Sequence, residues 1–72
     1  MNDELNPPWL AFPEIPAGAV GWRTGQGELF WDMFYKFFSA LNHRAADDYV
    51  RRYPEPEMWR GTYAMIRANP WK

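Results

Sequence analysis

Between Leu29 and Phe38 the chain reads LFWDMFYKFF, in which only Asp32 and Lys36 interrupt apolar or aromatic residues. A helix with one buried stripe needs roughly three or four apolar residues per two turns, so this segment carries more than one face's worth. It therefore demands cover on more than one side. At about 100° per residue, Phe30, Phe34, Phe37, Phe38 and Leu41 share one broad face, with Asp32, Lys36 and Ser39 opposite. Leu29 and Met33 form one apolar shoulder, and Trp31 and Tyr35 the other. The helix is expected to start near Gly27 or Glu28 and run to about Leu41, with Glu28 in its first turn favourable to the dipole and Asp32 four residues before Lys36.

With 72 residues and no cysteine, the chain has a small core and no disulfide to reinforce it. A single histidine and no thiolate leave a structural zinc site without its usual ligands, and neither metal nor cofactor is expected. Five Trp, five Phe and four Tyr make aromatic packing the compensating device. The formal net charge of −1, from eight basic and nine acidic residues, provides no basic field, which makes nucleic acid an unfavoured partner. MNDELNPPW lacks the basic start and apolar centre of a signal peptide, and no apolar run approaches the roughly 20 residues of a membrane span. The expectation is a soluble cytoplasmic protein.

Residues 1–27 hold Pro7, Pro8, Pro13 and Pro16 and then Gly18, Gly21, Gly25 and Gly27, a density expected to exclude a regular helix. The same segment carries Trp9, Leu10, Phe12, Ile15, Val20 and Trp22, which a solvated tail has little reason to keep. It reads as an extended strap that inserts rings between helices, lying over Leu29 and Met33 and leaving Trp31 and Tyr35 outside.

Asn42 is a suitable cap for a second helix over 43–53, which Pro54 ends. Arg44 with Asp48, Asp47 with Arg51, and Asp48 with Arg52 are spaced for pairs on a solvated face, opposite Ala45, Ala46, Tyr49 and Tyr53. A third helix is expected over 56–68, with Trp59, Thr62, Tyr63 and Ile66 on one face and Gly61 marking a close contact or a kink. Asn69 and Pro70 stop it, and Trp71 is placed to fold back. The fold class that follows is all-α: one small domain of about three helices over 28–72 with an irregular proline- and glycine-rich strap.

No constellation carries recognisable catalytic chemistry. His43 has Asp47 one turn on, but no nucleophile with an activating surround accompanies them. The acid pairs Asp47 and Asp48, Glu55 and Glu57, and Glu28 and Asp32 read as solvated charge. Arg23, Thr24, Gly25 and Gly27 lead into a helix start and form a candidate anion loop, although the Gly-Lys-Ser/Thr ending of a phosphate loop and the strand and third glycine of a dinucleotide fingerprint are missing. Arginine beside an aromatic ring recurs at Trp22-Arg23, Arg52-Tyr53 and Trp59-Arg60. Such pairs suit either single-stranded nucleic acid or a protein hot spot, and the near-zero net charge favours protein. The first helix lacks the Lys/Arg-rich polar face of a membrane-surface helix.

The sequence thus points to a non-catalytic protein-interaction module that binds a partner, or a second copy, through Trp31 and Tyr35 with Arg23 or Arg60 at the rim. A single-stranded nucleic-acid or anion binder is the alternative. In size and in the lack of catalytic residues the chain is similar to small bacterial or phage accessory proteins, which implies an inhibitor or adaptor role.

Overall fold

The computed structural model describes residues 4–71, so the first three residues of the expected strap and Lys72 fall outside it. Among the described residues there are four α-helices and no strand: α1 (Pro8–Ala11), α2 (Gly25–Ala40), α3 (His43–Arg52) and α4 (Thr62–Ala68). Two 3-10 turns, Val20–Trp22 and Glu57–Trp59, complete the small all-α architecture anticipated from the sequence. The aromatic-rich α2 is the centre, contacting α1, the first 3-10 turn and α4.

The strap is more ordered locally than its prolines suggested. Pro7 caps α1 and Pro8 opens it, positions where a missing N–H is no loss. The Pro7 carbonyl accepts from the N–H of Leu10 and Ala11, each at 3.0 Å. The prolines thus limit the helix to one turn instead of forbidding it, and both are buried. Further on, the Phe12 ring stands edge-on to Phe30 at 5.3 Å and to Trp22 at 6.0 Å. α2 starts at Gly25, earlier than the expected Gly27 or Glu28, because Thr24 supplies the extended N-cap.

α3 has the expected limits to within one residue, and Asn42 Oδ1 accepts from the Ala45 N–H at 2.8 Å as a helix cap. The expected third helix is divided. Glu57–Trp59 is a 3-10 turn, Gly61 sits at φ 90° in the left-handed region, and α4 begins only at Thr62. The Glu55 carboxylate closes this break, accepting from the N–H of Gly61 at 3.0 Å and of Tyr63 at 2.7 Å. A carboxylate at a helix N-terminus satisfies otherwise orphan donors, so Glu55 is an anchor and not a solvated charge.

The core gathers Phe34, Phe38, Ala46, Tyr49, Tyr63 and Ile66 from α2, α3 and α4. Phe38 and Tyr63 lie with ring centroids 4.9 Å apart, and Phe37 and Phe38 both stand against Tyr49. Tyrosine suits this core because its polar tip can reach a backbone acceptor. Tyr49 Oη donates to the Leu5 carbonyl at 2.6 Å, tying the strap to α3, and Tyr63 Oη donates to the Tyr53 carbonyl at 2.7 Å, tying α4 to the end of α3. Tyr35 Oη donates to the Asn69 carbonyl. The C-terminus does fold back: the Trp71 N–H donates to Ser39 Oγ at 3.0 Å, and its ring receives the Lys36 ammonium at 5.0 Å.

Burial raises the pKa of both Tyr49 and Tyr63. A phenol that resists ionisation in the native state but titrates near pH 10 when unfolded contributes stability that is complete below about pH 10 and is lost as pH rises further. In an alkaline titration, part of the tyrosinate absorbance is therefore expected to appear only together with loss of helical circular dichroism. Ionisation of all four tyrosines near pH 10 with the helices intact would contradict this burial.

The charged face of α3 also departs from its sequence pattern. Asp48 pairs with Arg52 at 2.9 Å as expected, and in addition with Arg51 at 2.8 Å. Asp47 bonds instead to Arg67 of α4 at 2.7 Å, and Arg52 reaches Glu4 of the strap with two hydrogen bonds. Arg52 holds the Glu4 carboxyl below the usual carboxylate range. The strap and α4 border this face, so its charges find tertiary partners that a lone helix does not offer. At such exposure solvent and salt screen these pairs, so they orient the strap and α4 more than they stabilise the fold.

Candidate partner-binding cleft

Trp9, Trp22, Trp31 and Trp59 form one cluster, drawn from α1, the first 3-10 turn, α2 and the second 3-10 turn. Trp59 is its hub, with ring centroids 5.5 Å from Trp9, 5.4 Å from Trp22 and 6.4 Å from Trp31. Trp22 is the buried member, and its Nε1–H donates to the Pro16 carbonyl at 3.0 Å. Trp9, Trp31 and Trp59 are half-buried. Their indole N–H groups have no acceptor among the described residues, and none is sealed from water.

The outer edges of this cluster bound an open cleft of about 350 Å³, lined by Trp22, Arg23, Trp31, Met58, Trp59 and Thr62 among others. A neighbouring cleft of about 330 Å³ shares Ala17, Met58 and Trp59 and extends to Trp9, Pro16 and Glu57. Met58 is 69% exposed. Its thioether is a flexible apolar ridge between the two hollows, the kind of side chain that adapts to an incoming surface.

Of the four residues singled out as a contact surface, Arg23 and Trp31 meet in the first cleft. Tyr35 stands edge-on to Trp31 at 5.9 Å but lines neither cleft, its far side packing against Met65, Asn69 and Trp71. Arg60 is exposed directly after the second 3-10 turn and does not line either cleft. Trp31 and Tyr35 are both half-buried and pack on the core, Trp31 also on Trp22 and Trp59. The shoulders of α2 are thus covered in the opposite sense to the one expected: the strap runs past Phe30 and Trp31, leaving Leu29 65% and Met33 54% exposed. Met58, Trp59 and Trp9 were missed as lining residues. Trp59 fits a helical core stripe equally well, and only the break at Gly61 turns it toward the tryptophan cluster.

The candidate anion loop is used for close packing. Gly25 takes φ 59°, and the backbone of Gly21 passes so near Gly27 that a Cβ there would lie 1.9 Å from the Gly21 carbonyl oxygen. Thr24 caps α2 by backbone geometry without a side-chain hydrogen bond, and Arg23 turns into the cleft described above.

A third hollow of about 210 Å³ is lined by Ser39, His43 and Arg67. Ser39 Oγ accepts from Trp71, and Arg67 donates to Asp47 at 2.7 Å while lying 3.3 Å from His43 Nδ1. The guanidinium holds the Asp47 carboxyl below its usual range. Arg67 therefore takes up the carboxylate that would be needed to orient His43. Among the described residues no group of three or more His, Asp or Glu side chains converges as a metal site, and no helix is long and apolar enough to cross a membrane.

No family model matches the chain, and no curated protein or solved structure matches it either.

Proposed function

We propose that this chain is a non-catalytic, cytoplasmic protein-interaction module, an adaptor or inhibitor that engages a protein partner through the tryptophan cleft. The observation that supports this reading most directly is the juxtaposition of Arg23, Met58 and the half-buried faces of Trp31 and Trp59 around one open hollow. Trp and Arg are the residue types most enriched at interface hot spots, and they are most effective at the edge of a desolvated pocket. Among the described residues Arg23 makes no ion pair, unlike Arg51, Arg52 and Arg67. Leu29 and Met33 add exposed apolar surface on α2.

Met58 is the suitable probe, because its exposure separates association from folding, whereas Trp31 and Tyr35 carry intrachain packing as well. Affinity capture from native lysate with the wild-type chain and with Met58→Asp is expected to retain a protein on the first and lose it on the second, with superimposable thermal melts. Retention of nuclease-sensitive material in place of a protein would overturn the reading in favour of single-stranded nucleic acid, and equal retention by both chains would remove the cleft from it.

A further inference from the structure

We infer that the two hollows on either side of Met58 form one directional groove for an extended segment of a partner protein, apolar in its middle, with an acidic residue at the end that meets Arg23 and a basic residue at the end that meets Glu57. This inference rests on the interaction reading above and adds the chemistry and the polarity of the occupant. Continuity comes from Ala17, Met58 and Trp59, which line both hollows. Each hollow is near the lower limit of about 300 Å³ for ligand sites, so together they offer two successive seats and not one deep pocket. An extended peptide places alternate side chains into successive seats along a groove. The free indole N–H groups of Trp9, Trp31 and Trp59 are donors without acceptors among the described residues, which suits the carbonyls of an extended backbone.

Charge fixes the direction. Arg23 lines only the first hollow and Glu57 only the second, and neither has an ion-pair partner among the described residues. Two adjoining hollows, one lined by a cation and the other by a carboxylate, are complementary to a segment with the reverse order of charges. The same carboxylate disfavours a nucleic-acid strand, whose phosphates would run past Glu57 with a single arginine to offset them.

The test is selection of a displayed random-peptide library on the full chain, in parallel with Met58→Asp, Arg23→Glu, Glu57→Lys and the double Arg23→Glu/Glu57→Lys variant. Arg23 and Glu57 are exposed, so these variants should keep the wild-type melt. Wild-type selections are expected to enrich peptides with Asp or Glu on one side of an apolar centre and Lys or Arg on the other. Each single variant should weaken the best of these by about tenfold or more, and the double variant should select the reversed charge order. Peptides enriched without a charge order, or bound equally by the charge variants, would overturn the directional groove while leaving docking at the cleft in place. If the wild type enriches nothing that Met58→Asp fails to enrich, the docking reading falls with it.

Discussion

A chain lacking residues 1–22 is expected to show no cooperative unfolding transition. The deleted segment holds the buried Trp22, the prolines that seat α1, Trp9 against Trp59 and Tyr63, and Phe12 against Phe30. It also supplies the Leu5 carbonyl that accepts from Tyr49 Oη, whose loss would leave a buried hydroxyl without its acceptor. Truncation of one buried Trp or Phe typically costs about 3–5 kcal/mol. A 72-residue domain has a total stability of about 4–11 kcal/mol at 0.05–0.15 kcal/mol per residue. Removing the buried Trp22 together with the half-buried Trp9 and Phe12 therefore exceeds what the remainder can absorb. Circular dichroism melts and urea titrations of both chains check this. A truncated chain that unfolds at the full-length midpoint would show that the segment is a dispensable tail.

Gly27→Ala is expected to destabilise the protein by about 3 kcal/mol or more, at or above the upper end of ordinary overpacking. Its sign opposes helix propensity. Gly27 lies within α2, where alanine would normally be favoured by about 1 kcal/mol. The added Cβ would stand 1.9 Å from the carbonyl oxygen of Gly21 and 2.9 Å from its carbonyl carbon, and neither atom can rotate away as a side chain can. Relief requires the first 3-10 turn to lift from α2, and Trp22 would move with it out of the tryptophan cluster. Gly25→Ala provides the contrast. No atom lies near its added Cβ, so its cost is the left-handed φ of 59°, about 1–2 kcal/mol. Denaturant midpoints of the two variants should rank Gly27→Ala well below Gly25→Ala. A Gly27→Ala chain as stable as the wild type would mean that the close approach of the two backbones is not needed.

Much of the helical framework was legible because it depends on neighbours in sequence. The spacing of Phe30, Phe34, Phe37 and Phe38 marks α2, and Asn42 and Pro54 bracket α3 through capping and proline geometry. The aromatic content of residues 9–22 likewise marked the strap as part of the packed structure. The third helix was less legible. Glycine at position 61 signalled a disturbance, but whether the chain kinks or turns depends on whether a distant acceptor satisfies the freed N–H groups. Glu55, six residues earlier, does so.

By itself, the sequence determined that the chain is helical, that α2 carries more apolar surface than one buried stripe needs, and that the aromatic strap was a candidate for part of the cover. Periodicity of this kind follows from the pitch of the helix and is local. Only the tertiary structure decided which shoulder is covered, because both shoulders of α2 are apolar and the helix pitch treats them alike. The choice falls to the contact of Gly21 on Gly27, which admits the strap on the Phe30 and Trp31 side and exposes Leu29 and Met33. That same choice brings Trp22 beside Trp59, with Arg23 lining one hollow and Glu57 the neighbouring one. Residues far apart in the chain meet there, and their meeting depends on how closely two backbones can approach.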